Sequence, residues 1–290
     1  MDIILNPIAG GKHGKKIKKA LIAIIKRLHE RKIKYTIHQT EKKGHAKELT
    51  AKLIADGSQT IVALGGDGTL HEVINGFTDF DKTVLGLIPC GTGNDFANAL
   101  NLPTDPVKAL DLIIDGTPKY TDFMQMPTVR GINIIGMGID VDVLKRYESL
   151  KKKTKLGYTM SLVKTLFDFD YTDFTVELDE KKKIDYRSFI ACIANGHVYG
   201  GGIPICPVAS PIDNKLNFLA VKEIKRSKII GAFLKLKKGK ILTLPQSEHS
   251  FCETVKITTN GPYTVNVDGE LYENIPFEVK IVSNKLRMYR

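Results

Sequence analysis

Cysteine is scarce in this 290-residue chain, and tryptophan is absent. The four cysteines, Cys90, Cys192, Cys206 and Cys252, are widely scattered and show neither metal-ligand nor redox spacing. They read as the reduced thiols of a cytoplasmic protein. No stretch approaches the roughly 18 apolar residues that a spanning helix requires, so an integral membrane protein is not expected. Nor is a secretory leader: Asp2 stands where a positive region should be, and the apolar run Ile3-Ile4-Leu5 stops at Asn6-Pro7. The chain also lacks any basic motif interleaved with aromatics, which argues against nucleic acid as a partner. Acidic residues are in deficit, 32 against 43 Lys and Arg, for a net charge of +11. That balance by itself favours polyanionic partners such as ATP, an acidic lipid surface or nucleic acid without choosing among them, and a basic face also serves simply to keep a protein soluble.

Hydrophobic and charged residues are present in the proportions of a folded globular protein, and the length suffices for two domains. The first 122 residues alternate strand and helix. Asp2–Leu5 reads as a strand, followed by a helix with Ile17, Leu21, Ile24, Ile25 and Leu28 on one face. Further strands are expected at Ile33–His38, Ile61–Leu64 and Val84–Ile88. Helices are expected over His45–Ala55 and after Gly68, Asn94 and Pro106. This order predicts an α/β domain with a parallel sheet. From residue 123 to 282 the pattern changes to period-two segments, among them Phe174/Val176/Leu178, Leu216/Phe218/Ala220, Val265/Val267 and Phe277/Val279/Ile281. Turn residues such as Asp179-Glu180 and Asn260-Gly261-Pro262 separate them. A mostly antiparallel, sandwich-like second domain is expected, with helices near Leu156–Phe167 and Ser227–Lys238. The tail 283–290 is expected to return to the first domain.

Three strands of the first half run into glycine-rich turns that lead to helices. They are Asn6-Pro7-Ile8-Ala9-Gly10-Gly11, Gly65-Gly66-Asp67-Gly68-Thr69 and Pro89-Cys90-Gly91-Thr92-Gly93-Asn94-Asp95-Phe96. Loops at the carboxyl ends of parallel strands share one edge, where backbone N–H groups and helix N-termini suit anions. One such loop is weak, because glycine commonly just closes a turn; three on one edge point to a phosphate site. None is a Walker loop or a Rossmann fingerprint. Asp67 is the unusual member, since a carboxylate in a phosphate nest repels a nucleotide unless a metal or an ordered network offsets it.

Gly-Gly-Asp-Gly-Thr followed by Glu72-Val73-Ile74-Asn75-Gly76 resembles the nucleotide signature shared by diacylglycerol, sphingosine and NAD kinases. Asn6-Pro7-x-x-Gly and Pro89-x-Gly-Thr-x-Asn-Asp-Phe-Ala97 are similar to the lipid-kinase branch. So are Asn133-x-x-Gly136-x-Gly138-x-Asp140 and Val267-Asp268-Gly269-Glu270. The resemblance covers nearly the whole chain and is closest to the soluble bacterial diacylglycerol kinases. It implies an NAD-kinase-like nucleotide domain and transfer of the γ-phosphate of ATP to a lipid hydroxyl. It further implies that ATP is contacted by Asn6, Pro7, Ile8, Ala9, Gly10, Thr40, Gly66, Asp67, Gly68, Thr69, Leu70, His71, Glu72 and Thr92. Asp67, Asp95 and Asp122 would form a carboxylate–water network that helps hold the catalytic Mg. A structural Mg is implied by the loop Pro207 to Asn217, with Asp213 and the carbonyls of Ser210 and Lys215 as ligands. Asn214 and Asn217 depart there from the Gly and Asp of the family pattern. NAD kinase, which shares the Asp67 motif, and a non-enzymatic nucleotide-binding protein are the competing readings.

Asp268 and Glu270 flank Gly269. If the segment continues as a strand their side chains share a face; the other reading is a hairpin turn at Asp268-Gly269. The resemblance favours a catalytic role, with Asp268 the expected proton acceptor and Glu270 the second candidate. For the acceptor lipid, Lys225–Lys240 combines aliphatic residues with many cations. It reads equally as an interfacial helix on anionic phospholipid or as a core-packed helix with a solvated basic face. Lys12, Lys15, Lys16 and Lys151-Lys152-Lys153 add to a basic surface or are simply solvated. The expected setting is the cytoplasmic face of a membrane, held peripherally, and the resemblance is compatible with a homodimer.

Overall fold

A computed structural model describes residues 1–10, 14–150, 155–181 and 183–290. Gly11, Lys12 and the run Lys151 to Lys153 lie outside the described residues. The chain divides into two compact units, Met1–Asp122 with Ser283–Arg290, and Phe123–Val282.

The first unit contains β1 (Asp2–Leu5), α1 (Lys15–Glu30), β2 (Thr36–Gln39), α2 (His45–Ala55), β3 (Thr60–Gly65), α3 (Asp67–Gly76), β4 (Val84–Pro89), α4 (Asp95–Ala99) and α5 (Pro106–Asp115). Strands β4, β3, β1 and β2 lie side by side, all parallel, so the loops after β1, β3 and β4 emerge at one edge. Ile3, Leu5, Val62, Leu64 and Ile88 pack with Ile17, Ile24 and Leu28 of α1 and Ala109, Leu110 and Ile113 of α5. Alternation turns Ile4, Ile61 and Ala63 to the opposite face, where they are also fully buried. Burial on both faces is what a parallel sheet between helix layers requires.

Strand β2 begins three residues later than Ile33, where alternation predicted it. The Ile33 N–H bonds back to the Leu28 carbonyl, and Lys32 adopts a left-handed φ of 53°. Those residues terminate α1 rather than open a strand.

Strand β5 (Pro118–Gln125) leads into the second unit. That unit contains β6 (Arg130–Gly131), β7 (Ile134–Gly138), α6 (Ile139–Glu148), α7 (Lys155–Phe167), β8 (Thr172–Leu178), β9 (Lys183–Ala194), β10 (Leu216–Lys222), α8 (Ile229–Lys237), β11 (Ser247–Cys252), β12 (Thr254–Thr259), β13 (Thr264–Val267) and β14 (Glu270–Glu273). The last strand, β15 (Glu278–Tyr289), pairs with β12 through Glu278–Lys280, and its end pairs in parallel with β4 at Met288–Leu85. Within the second unit the strand pairs are antiparallel. Strand β10 was expected to bury one face, yet all but its last residue are buried. Leu216, Phe218 and Ala220 enter a core shared with β8, β12 and β13, whereas Leu219 and Val221 enter a second core beneath α6, α7 and α8. A strand between two cores has no solvent face, so its sequence carries only half of the signal.

Candidate active site

In the first unit, side chains and close backbone approaches tie the three glycine loops together. Asn6 donates through Nδ2 to Thr69 Oγ1 at 3.1 Å, while its Oδ1 accepts from the Ile8 N–H at 3.2 Å. The backbone donor fixes which end of the amide faces Thr69. Gly10 has φ +79°, and a Cβ there would stand 2.7 Å from the Cys90 carbonyl oxygen. A Cβ on Gly91 would come within 2.4 Å of the Gly66 Cα. Glycine is therefore required for backbone contact between loops, not merely for a turn. Lys16, in the first turn of α1, donates from Nζ to the Gly91 carbonyl at 3.2 Å and brings a cation to this edge. Burial pushes the neighbouring Cys90 thiol up to about 11, with Lys16 opposing the shift, so Cys90 is inert as a nucleophile at neutral pH.

Two carboxylates share this edge. Asp67 opens α3, and its Oδ1 accepts from the Phe96 N–H in the first turn of α4 at 3.3 Å. The side chain thus lies where the positive ends of two helices meet. A Cβ on Gly93 would be 2.9 Å from Asp67 Oδ2 and 3.2 Å from Asp95 Oδ2, so both acids crowd one point. Like charges so close favour a shared proton or a bound cation. Oxygen donors of this kind suit Mg, which takes one or two carboxylates and completes its shell with phosphate and water. Among the described residues there is no group of three or more His, Cys, Asp or Glu that could hold a metal alone. Asp122 is buried and lies within electrostatic reach of the Arg290 guanidinium.

Of the other residues singled out at this edge, Ile8, Gly68 and Thr92 are exposed, Asn6, Pro7, Gly10 and Gly66 are half-buried, and Ala9 and Thr40 are buried. Thr69, Leu70 and His71 are buried as well. Glu72 faces a different task. Its two oxygens accept from Gly44 N at 2.8 Å and Ala46 N at 3.0 Å. It caps α2, whose own N-cap glycine has no side chain to do so.

In the second unit, Asp268 is not in a strand. Strands β13 and β14 pair Val267 with Glu270, and Asp268 and Gly269 form the two-residue turn between them with φ of +54° and +96°. Two successive positive φ values make this the tight hairpin that Asp-Gly favours. Asp268 and Glu270 therefore do not share a strand face, which corrects that reading. The Asp268 carboxylate accepts from the backbone N–H groups of Ile132 at 2.7 Å, Asn133 at 2.8 Å and Ile134 at 3.0 Å. Three backbone donors thus hold the Asp268 carboxylate against residues 132–134. Glu270 opens β14 and is half-buried.

Behind the turn lies a polar chain that sequence reasoning assigned no role. Asn266 Oδ1 accepts from the Gly269 N–H at 2.8 Å, so its Nδ2 faces Asp140 and donates to Oδ2 at 3.0 Å. Asp140 is buried in the first turn of α6, and a Cβ on Gly136 would meet its Oδ2 at 2.1 Å. Burial pushes its carboxyl up to about 7, against the pull of the Asn266 hydrogen bond. The signal was the spacing Gly136-x-Gly138-x-Asp140, in which the first glycine makes room for the acid. Lys16 was likewise visible only as one lysine of a basic surface.

The loop around Asp213 makes a turn at Asn214. Asp213 Oδ1 accepts from Lys215 N at 3.1 Å, and Asn214 takes the left-handed φ of 62°. Ser210 is half-buried and Lys215 exposed. Asn217 is fully buried, with Nδ2 donating to the Ala194 carbonyl at 3.4 Å and Oδ1 accepting from His249 Nε2 at 2.9 Å.

Comparison with known proteins places this geometry. Residues 1–126 match the family described as "Diacylglycerol kinase catalytic domain". Residues 133–290 match "YegS C-terminal NAD kinase beta sandwich-like domain". The chain is 30% identical over 282 residues to a probable lipid kinase YegS-like of Xanthomonas oryzae, covering 90% of this chain and 88% of that one. It is 28% identical over 294 residues to a diacylglycerol kinase of Mycobacterium tuberculosis, covering 99% and 94%. Its fold is that of a putative diacylglycerol kinase from Bacillus anthracis, with a TM-score of 0.80 at 23% identity over 99% and 96% of the two chains.

Proposed function

The chain belongs to the diacylglycerol kinase family of lipid kinases, and from that premise we propose that it transfers the γ-phosphate of ATP to the hydroxyl of diacylglycerol or a related lipid alcohol. The observation that carries the reading is the convergence of three glycine loops on Asp67 and Asp95. Phosphoryl transfer needs alignment and charge neutralisation more than covalent chemistry. The loop amides and the Lys16 ammonium would cradle the phosphates, and Asp67 and Asp95 would hold the metal. Bound there, Mg would offset the negative charge shared by the carboxylates and the phosphates. As the acceptor oxygen bonds to phosphorus and the bond to ADP breaks, the hydroxyl proton passes to a carboxylate. Glu270 is assigned that role, because Asp268 already serves three backbone donors. Asp213, with the carbonyls of Ser210 and Lys215, would hold a second, structural Mg; chelation should then lower the melting temperature of the wild type but not of Asp213→Ala. The proposed setting is the cytoplasmic surface of a membrane, where the protein is held peripherally.

The test is transfer of labelled γ-phosphate from ATP to a panel of lipids in mixed micelles, with NAD as a competing acceptor. Label in a lipid product that depends on Asp67 is the expected result. Transfer to NAD alone, or to no acceptor, overturns the proposal.

A further inference from the structure

Helix α8 turns two faces to different surroundings. Ile229, Ala232 and Leu236 are buried in the core beneath α6 and α7. On the outer side Ile230 is 54% exposed and Leu234 52%. They stand four residues apart, hence one turn apart on one stripe. A helix that merely covers a core carries polar residues there. Around this stripe Lys225, Arg226, Lys228, Lys237, Lys238 and Lys240 are exposed. No Asp or Glu occurs anywhere from Lys225 to Ser247.

From this juxtaposition of an exposed aliphatic pair with a segment whose only charges are cations, we infer that the outer face of α8 seats on an anionic lipid bilayer, with Ile230 and Leu234 entering the acyl boundary. The proposal deepens the lipid-kinase reading, and rests on it for the choice of a bilayer, by naming the surface that meets the substrate's phase. Aliphatic side chains gain from leaving water, and lysines gain from lipid phosphates at the same depth. Neither alternative occupant uses both features. A second copy of this chain, meeting the patch by a two-fold axis, would set cations against cations with no acid in the segment to receive them. A nucleic acid would take the cations and leave the aliphatic pair in water.

The two contributions differ in their response to salt, because ions screen the cations and not aliphatic burial. The experiment is co-sedimentation of the full chain with phosphatidylcholine vesicles, with and without phosphatidylglycerol, at low and high salt. Two double variants are compared with wild type, Ile230→Ser with Leu234→Ser, and Lys237→Glu with Lys238→Glu. All four positions are exposed, so melting temperatures should match wild type. The serine variant should lose partitioning at both salt concentrations, by roughly tenfold for each side chain. The glutamate variant should lose it mainly at low salt and only on vesicles containing phosphatidylglycerol. Each variant is also assayed for turnover on a water-soluble short-chain diacylglycerol, which needs no bilayer and should proceed at the wild-type rate. Wild-type partitioning by the serine variant overturns the proposal, whether or not the glutamate variant is impaired. Loss of partitioning as described, with no short-chain turnover in any of the proteins, removes the kinase reading and leaves the docking surface standing.

Discussion

Asp67-Gly68 in the first unit and Asp268-Gly269 in the second are the same dipeptide, and each follows a buried strand. In the first, the chain enters a helix, and the carboxylate sits beside a second acid at Gly93 where two helix N-termini meet. In the second, the chain reverses, and the carboxylate closes on three backbone N–H groups from Ile132 to Ile134. One aspartate is crowded by like charge and the other is saturated by donors. Crowding leaves an acid whose negative charge calls for a cation, which is useful for chemistry. Saturation leaves an acid whose charge is already spent on the fold. The comparison teaches that an Asp-Gly pair declares a turn or a helix start, and that its neighbours decide whether it is reactive.

The sharpest way to break the comparison is to remove the charge at each position in turn. Asp67→Asn should cut turnover roughly 10²-fold, as expected when a carboxylate that would hold the phosphate-bound metal is lost. Its melting temperature should stay near that of wild type, because relief of crowding beside Asp95 offsets the weaker contact with two helix N-termini. Steady-state kinetics and a thermal melt together check this; near-normal turnover would remove Asp67 from the chemistry.

Asp268→Asn should show the reverse balance. Oδ1 serves two N–H donors and Oδ2 a third. Whichever way the amide turns, an NH₂ group then faces at least one N–H. The expected loss is about 2–3 kcal/mol of stability, that of leaving a donor on a buried residue unsatisfied. Any fall in turnover should follow the unfolded fraction. Glu270→Gln, in the same hairpin, should keep stability within about 0.5 kcal/mol and lose turnover by roughly 10²-fold with ATP affinity little changed. Denaturant melts and a split of kcat from KM distinguish the two. Equal kinetic damage from both variants would mean that Asp268 takes part in the chemistry as well as in the turn.

What could be read from the sequence follows the same division. Segments with one solvent face declared themselves: α1 by its stripe of Ile17, Ile24 and Leu28, and α2 over His45–Ala55. The glycine-rich turns after three parallel strands marked the edge where these loops meet, and the close backbone approaches there account for the glycines. Strand β10 was half hidden, since both of its faces are buried. The start of β2 was misplaced because Ile33 and Tyr35 alternate as a strand would, while a backbone bond to Leu28 keeps Ile33 with the helix. At the site, residue types were legible and hydrogen-bond partners were not. Nothing local to Asp268 names Ile132, more than a hundred positions away, and nothing local to Glu72 names Gly44. Long-range polar partners carry no periodicity, so they appear only when the chain is folded.

The smallest expected effect on turnover concerns Asp140→Asn, at a residue that stands behind the second aspartate rather than at it. Through Asn266 it holds the Gly269 N–H, and so the turn that begins β14 at Glu270. Burial raises its carboxyl to about 7, whereas in the unfolded chain it titrates near 3.8. Between those values the folded state holds a proton that the unfolded state has released. Raising the pH through this window therefore removes stability, and the loss is complete once the pH exceeds the folded value. Asp140→Asn keeps an acceptor for Asn266 Nδ2 and has nothing to ionise, so its stability should not follow this slope. The difference between wild type and variant should grow against wild type as the pH rises from 5 to 8, by no more than about 1.4 kcal/mol per pH unit. Denaturant melts across that range measure it, and parallel profiles would mean that Asp140 is not protonated in the fold. In the wild type, ionised Asp140 remains an acceptor for Asn266, so the turn keeps its shape while the fold as a whole weakens. Asp140→Leu removes the acceptor altogether. It should loosen the Gly269 turn and lower kcat at unchanged ATP affinity, whereas Asp140→Asn should preserve kcat. That contrast separates a residue that positions the hairpin from one that merely fills space beneath it.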